Sequence, residues 1–175
     1  KGIQCSMAIN FNPSRPVRTA SGSGSAITMT TEYPHGLVAG NRVRVSGAEE
    51  IKSLNPSTAS YDPTTGLLTI TIAGHGIVAG EQIYLTEESF NFQCAQDNYG
   101  SDHLYPRSTD PAGDQTRLTV KSVNGNDIVV DVGTSTYAGA HQIVSVAAGA
   151  VNHVDVSNAY NGTYEVTSST EFTFS

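Results

Sequence analysis

Ile27-Thr28-Met29-Thr30, followed by Pro34-His35-Gly36-Leu37-Val38-Ala39-Gly40-Asn41-Arg42-Val43, is matched further along by Leu68-Thr69-Ile70-Thr71 and then Gly74-His75-Gly76-Ile77-Val78-Ala79-Gly80-Glu81-Gln82-Ile83. Each copy reads as a strand, a His-Gly turn, an apolar pair, an Ala-Gly turn and a second strand. Two copies define one small β-module used twice, too few for a solenoid or propeller. Working outward from this pair, the rest of the chain is a series of short period-2 runs separated by turn residues, with no amphipathic helical window. Strands are predicted at 27–31, 42–46, 67–72, 82–86, 90–94, 117–123, 127–132, 142–147, 163–167 and 171–174, with 47–60 as a loop. Asn124-Gly125 is the dipeptide of a tight hairpin turn. The fold class is therefore all-β, with two small antiparallel sandwich or barrel-like modules.

The second copy has its downstream strands directly after it, whereas the first runs into a loop and lacks partners until the end of the chain. Asn161–Val166 and Glu171–Phe174 supply them. The expected organisation is an outer module of residues 26–50 plus 158–175, with residues 51–157 inserted into it; exposed loops tolerate such insertions. Residues 1–25 read as an extended N-terminal arm ending in a Gly/Ser hinge, Ser21-Gly22-Ser23-Gly24-Ser25. Within the arm Ile3, Cys5, Met7 and Ile9 alternate with Gln4, Ser6 and Ala8, the pattern of a strand that awaits a sheet edge. Those four residues are the candidate assembly contacts, made with another copy by strand addition.

Composition narrows the function. With 38% hydrophobic and only 14% charged residues the chain folds rather than remaining disordered, and 19 Ser and 19 Thr supply its polar faces. Its formal charge is −7, and six Arg and three Lys are scattered, which excludes a nucleic-acid footprint. Arg42 and Arg44 are the one close pair, on one face of a strand. No apolar run is long enough to span a membrane, so no membrane partner is expected. A start at Lys1 without Met fits a processed product or a fragment.

No catalytic set, metal site or cofactor is expected. His35 and His75 occupy the same place before Gly36 and Gly76, and repetition at a turn favours loop capping over a metal ligand or general base. The loop from Asp97 to His103, with Asp110 and Asp114, is oxygen-rich but lacks calcium-loop spacing. Cys94 alternates with Phe90 and Phe92 and reads as a small buried hydrophobe, a disulfide to Cys5 being the alternative. Gly22-Ser23-Gly24 sits in a linker-like run that cannot hold a nucleophile rigidly. Asn161-Gly162-Thr163 has the form of a glycosylation acceptor and equally of a turn.

The words YDPTTGLLTITIAGHGIVAGEQIYL (61–85), FNFQC (90–94), YPRSTDPAGD (105–114), LTVKSV (118–123) and IVVDVG (128–133) resemble β-domains that recur in structural proteins of tailed bacteriophages, notably marine and cyanobacterial ones. PHGLVAGNRVRVSGAEE (34–50) and YNGTYEVTSSTEFTF (160–174) resemble a second small β-module of phage tail and fibre proteins. The resemblance implies a non-enzymatic structural protein on a virion surface or otherwise extracellular: a fibre, tail appendage or capsid decoration. The implied partners are copies of itself in a homo-oligomer or helical assembly, other virion proteins, and host-surface glycans. It brings no catalytic residues, and it marks Arg107 as a structural clasp for Asp110 or Asp114. The alternatives are a subunit of a prokaryotic surface filament or adhesin and, more remotely, a polysaccharide-acting depolymerase. The absence of Trp weighs against the last.

Overall fold

The computed structural model describes residues 16–23, 26–156, 161–171 and 173–175. In chain order the strands are β1 (Val17–Ser23), β2 (Ala26–Thr31), β3 (Arg42–Val45), β4 (Glu50–Leu54), β5 (Thr58–Asp62), β6 (Leu67–Thr71), β7 (Gln82–Leu85) and β8 (Phe90–Cys94). Then follow β9 (Asp102–Tyr105), β10 (Leu118–Thr119), β11 (Ser122–Asn124), β12 (Asp127–Asp131), β13 (His141–Val146), β14 (Val151–Asp155), β15 (Gly162–Glu165) and β16 (Thr173–Phe174). A single short 3₁₀ turn, Ala95–Asp97, is the one helical element among the described residues. The fold is all-β, and every strand pair is antiparallel.

The described residues form two compact units, one lying within 1–46 and 162–175 and the other within 47–161. In the inserted unit the sheets run β10-β7-β14-β4, β11-β12-β6-β5 and β13-β8-β9. Alternation explains how one core serves all three: Leu68 and Ile70 of β6, Ile83 and Leu85 of β7, Phe90 and Phe92 of β8, and Ile128 and Val130 of β12 all point inward. Each such side chain contributes about 1.5–3 kcal/mol by leaving water. The predicted strand 117–123 is divided, because Val120 donates to Glu81 in one sheet while Lys121 donates to Val129 in another.

The outer unit has the sheets β1-β2-β16 and β15-β3 around a small core of Met29, Val166 and Phe174, flanked by Ile27, Leu37, Val43 and Val45. Its five strands β1, β2, β3, β15 and β16 repeat β5, β6, β7, β10 and β12 of the inserted unit. Ala20 pairs with Met29 as Ala59 pairs with Ile70, and Met29 pairs with Phe174 as Ile70 pairs with Ile128. Tyr164 faces Val43 as Leu118 faces Ile83. Turn bonds agree too: Gly40 donates to Val166 and Gly80 to Val120, both at 2.8 Å, while Val166 donates to Asn41 and Val120 to Glu81. The module is therefore five strands long, and it starts at Thr19-Ala20-Ser21 and Thr58-Ala59-Ser60, identical words that precede the quoted repeat.

Two expectations are corrected by this. Ser21-Gly22-Ser23 is not a hinge but the end of β1, paired with β2 up to Ser23 and Ala26. Glycine and serine suit a tight hairpin tip as well as a linker, so composition alone did not distinguish them. Residues 47–60 are not a loop, since β4 pairs with β14 and β5 with β6. The assembly residues Ile3, Cys5, Met7 and Ile9 lie outside the described residues.

At the β5–β6 turn Asp62 accepts from the Thr64 hydroxyl at 2.6 Å, from Thr64 N at 2.9 Å and from Thr65 N at 3.4 Å. These bonds, the Thr64 hydroxyl first, bring its carboxyl down to about 2. A depressed carboxyl stabilises the fold above its unfolded value near 4 and loses that contribution as pH falls through its folded value. Amide exchange at Thr64 and Thr65 should therefore accelerate as pH drops from about 4 to about 2, beyond the intrinsic pH trend. In Asp62→Ala that extra acceleration should vanish.

Candidate functional site

Both histidine turns are built alike. Leu37 N donates to His35 Nδ1 at 2.9 Å and Ile77 N to His75 Nδ1 at 2.8 Å, with Gly36 and Gly76 both at φ +67°. A glycine is required there because side chains avoid that region. An accepting Nδ1 places the ring proton on Nε2, and in His75 that nitrogen lies 3.2 Å from the Gly125 carbonyl of the β11–β12 turn. His35 instead meets Phe174 edge to face, ring centroids 5.2 Å apart. Nδ1 of each ring is thus committed to the backbone, while His35 Nε2 is buried without a hydrogen-bond partner among the described residues. His75→Ala should cost about 1–3 kcal/mol in urea unfolding by orphaning the Ile77 N–H. His75→Asn should restore most of it, because an Asn carbonyl can accept from the backbone two residues on; a metal or general-base role would not be rescued this way.

Arg107 clasps Asp110 rather than Asp114. Its backbone N and Nε donate to Asp110 Oδ2 at 2.8 and 3.1 Å, and Nη2 donates to Oδ1 at 2.8 Å. Burial works against the Asp110 carboxylate, but the Arg107 bonds outweigh it and hold its pKa below the ordinary range. Asp114 N instead donates to Glu87 at 3.2 Å. Since the Arg107 side chain is 68% exposed and Asp110 only 12%, the two halves of the clasp are unequal. Arg107→Ala should cost at most about 1 kcal/mol. Asp110→Ala, which also frees the Arg107 backbone N–H, should lower the melting temperature more.

That clasp borders a cleft of about 770 Å³ in the inserted unit, which also includes Tyr61, Phe92, Tyr105, Tyr137 and His141. Strand pairing assembles it: β8 brings Phe92 between His103 of β9 and Ile143 of β13. Tyr61 packs edge to face on His141, centroids 5.4 Å apart, and donates to the Gly133 carbonyl at 2.8 Å. Gly139 lets the Tyr137 ring lie close to the backbone, since a Cβ there would sit 2.3 Å from that ring and push it aside. Asp102 accepts from Asn91 and Gln93, each at 2.9 Å, and these bonds hold its pKa low. Asp102 and Asp110 are both held in the ionised form, whereas a glycosidase acid needs its carboxyl raised. Burial pushes up the Tyr105 and Tyr61 hydroxyls and the Cys94 thiol, the reverse of nucleophile activation. The cleft offers aromatic faces and anchored polar groups, a surface for binding.

Other residues fall elsewhere. Cys94 is buried and has no disulfide partner among the described residues, and Cys5 lies outside them. Among the described residues no group of three His, Cys, Asp or Glu is placed to hold a metal. The Asn161 amide is engaged: Oδ1 accepts from Ala48 N at 2.9 Å, and Nδ2 donates to the Ala48 carbonyl at 2.9 Å. Sequence reasoning missed His153, buried on β14 with Nε2 3.0 Å from Glu81 Oε2, and the Lys52–Asp155 pair at 2.5 Å. Nothing local in Val151–Asp155 signals either partner, because Glu81, just before β7, and Lys52 of β4 are both distant in sequence.

One further feature has no counterpart in the inserted unit. There β7 lies between β10 and β14, whereas in the outer unit β3 pairs with β15 alone among the described residues. Val43 and Val45 are accordingly half-buried where Ile83 and Leu85 are fully buried. Beside them opens an apolar groove of about 270 Å³ that includes Ile27, Met29 and Phe174. Comparison with protein-family models, with curated proteins and with solved structures finds no match for this chain.

Proposed function

We propose that this chain is a non-enzymatic structural protein of a bacteriophage virion, a fibre, tail appendage or capsid decoration, that self-assembles through its β-modules and its N-terminal segment. One observation carries the assembly part: the five strands of the outer module match five of the inserted unit, yet the edge that β14 covers on β7 has no partner strand on β3 among the described residues. An open edge presents unpaired N–H and C=O groups to a neighbouring strand. The alternation of Ile3, Cys5, Met7 and Ile9 supplies such a strand within the same chain. The virion assignment rests on the resemblance of the module words to phage structural domains. Host-surface glycans would meet the protein at the tyrosine-lined cleft, where flat aromatic faces suit sugar rings.

Antibodies against the purified chain should decorate phage particles in electron microscopy. Labelling of isolated cell-surface fibres, with capsids and tails bare, would assign the chain to an extracellular filament or adhesin instead.

A further inference from the structure

We infer that the acceptor for the N-terminal segment is the edge of β3 that no described strand covers, where residues 3–9 of a second copy take the place that β14 holds in the inserted module. The inference deepens the assembly reading above and rests on it. Its geometry follows from the duplication. In the inserted unit Val151 of β14 faces Leu85 and His153 faces Ile83, antiparallel to β7. Val45 and Val43 are the matching positions in the outer unit, so the incoming strand needs apolar residues opposite them at alternate places. Ile3, Cys5, Met7 and Ile9 have that spacing.

Register also says which backbone groups are free. Val166 N donates to the Asn41 carbonyl, and hydrogen-bonded pairs recur every second residue of an antiparallel ladder. Val43 with Tyr164 and Val45 with Gly162 therefore form the bonds to β15. The N–H and C=O of Arg42 and Arg44 point the other way, toward the open edge.

Charge selects the occupant. Both arginine side chains are exposed and form no ion pair among the described residues. Two β3 edges meeting antiparallel would set arginines against arginines, and like charges directly opposite are destabilising. Residues 3–9 carry Gln4, Ser6 and Ala8 on that face and no charge at all. The edge thus repels its own copy and admits the segment.

Arg44→Pro tests this. It removes an outward N–H and no bond to β15, a position where edge strands tolerate proline. The full chain should sediment as an oligomer, while Arg44→Pro and a chain lacking residues 1–15 should each sediment as a monomer. Mixed, these two should form a 1:1 dimer that grows no further, since one retains the segment and the other the edge. Monomeric full-length protein, or assembly that survives the truncation, would overturn the assembly reading itself. Assembly lost on truncation but kept in Arg44→Pro would leave that reading intact and overturn the β3 edge as acceptor. Should Arg44→Pro alter the circular dichroism, a synthetic peptide of residues 1–15 replaces it: 1:1 binding to the truncated chain that slows exchange of the Arg42 and Arg44 amides supports the acceptor, and binding that leaves those amides exchanging as in the free truncated chain overturns it.

Discussion

Phe90→Ala is expected to lower the stability of the inserted module by about 3–5 kcal/mol and to unfold the outer module with it. Phe90 is completely buried, and it lies on β8 between Tyr105 of β9 and Val146 of β13. Removing its ring leaves a cavity that neighbours on two ladders cannot close. The coupling to the outer module comes from connectivity. Residues 47–161 join the two halves of the outer unit, and once unfolded they become a loop on the order of a hundred residues. Closing a loop of that length costs about 4 kcal/mol from chain length alone, which the small outer core must then supply. Amide exchange followed in urea should show peptides of β2 and of β6 losing protection together.

Phe174→Ala should behave in the opposite sense. Among the described residues the outer core has only Met29, Val166 and Phe174 buried in its cluster, so losing about 3 kcal/mol or more takes a large share of its stability. His35 loses its edge-to-face partner as well. The inserted unit closes its own core and does not need the outer ladder, so β6, β7 and β8 should keep their protection while β2 and β3 exchange freely. Simultaneous loss of protection in both units would contradict this one-way dependence.

Much of this architecture could be read before any coordinates. The paired His-Gly and Ala-Gly words locate the same turn in both modules, and those residues make the same backbone bonds in each. The return of 161–174 to complete the outer module was legible because two strands stood without partners. Thr19-Ala20-Ser21 and Thr58-Ala59-Ser60 were equally visible, but the Gly/Ser run beside the first copy reads as a linker as readily as a hairpin tip. β14 was not legible, because its pairing with β4 and β7 is set by long-range packing and its sequence alternates weakly. The cleft was hidden for the same reason. Tyr61, Tyr105 and Tyr137 are far apart in sequence, and only the ladders β5-β6, β8-β9 and β13-β8 bring their neighbourhoods together.

The claim that the outer module is a copy awaiting its edge strand is tested most directly by hydrogen exchange at Arg42 and Arg44. In assembled full-length protein their amides should exchange slowly, as should those of Gln82 and Tyr84, which pair with β14 in the inserted module. In the chain lacking residues 1–15 they should exchange at the rate of open backbone, while Val43 and Val45, bonded to β15, remain protected. Equal exchange of Arg42 and Arg44 in the two forms would contradict the account.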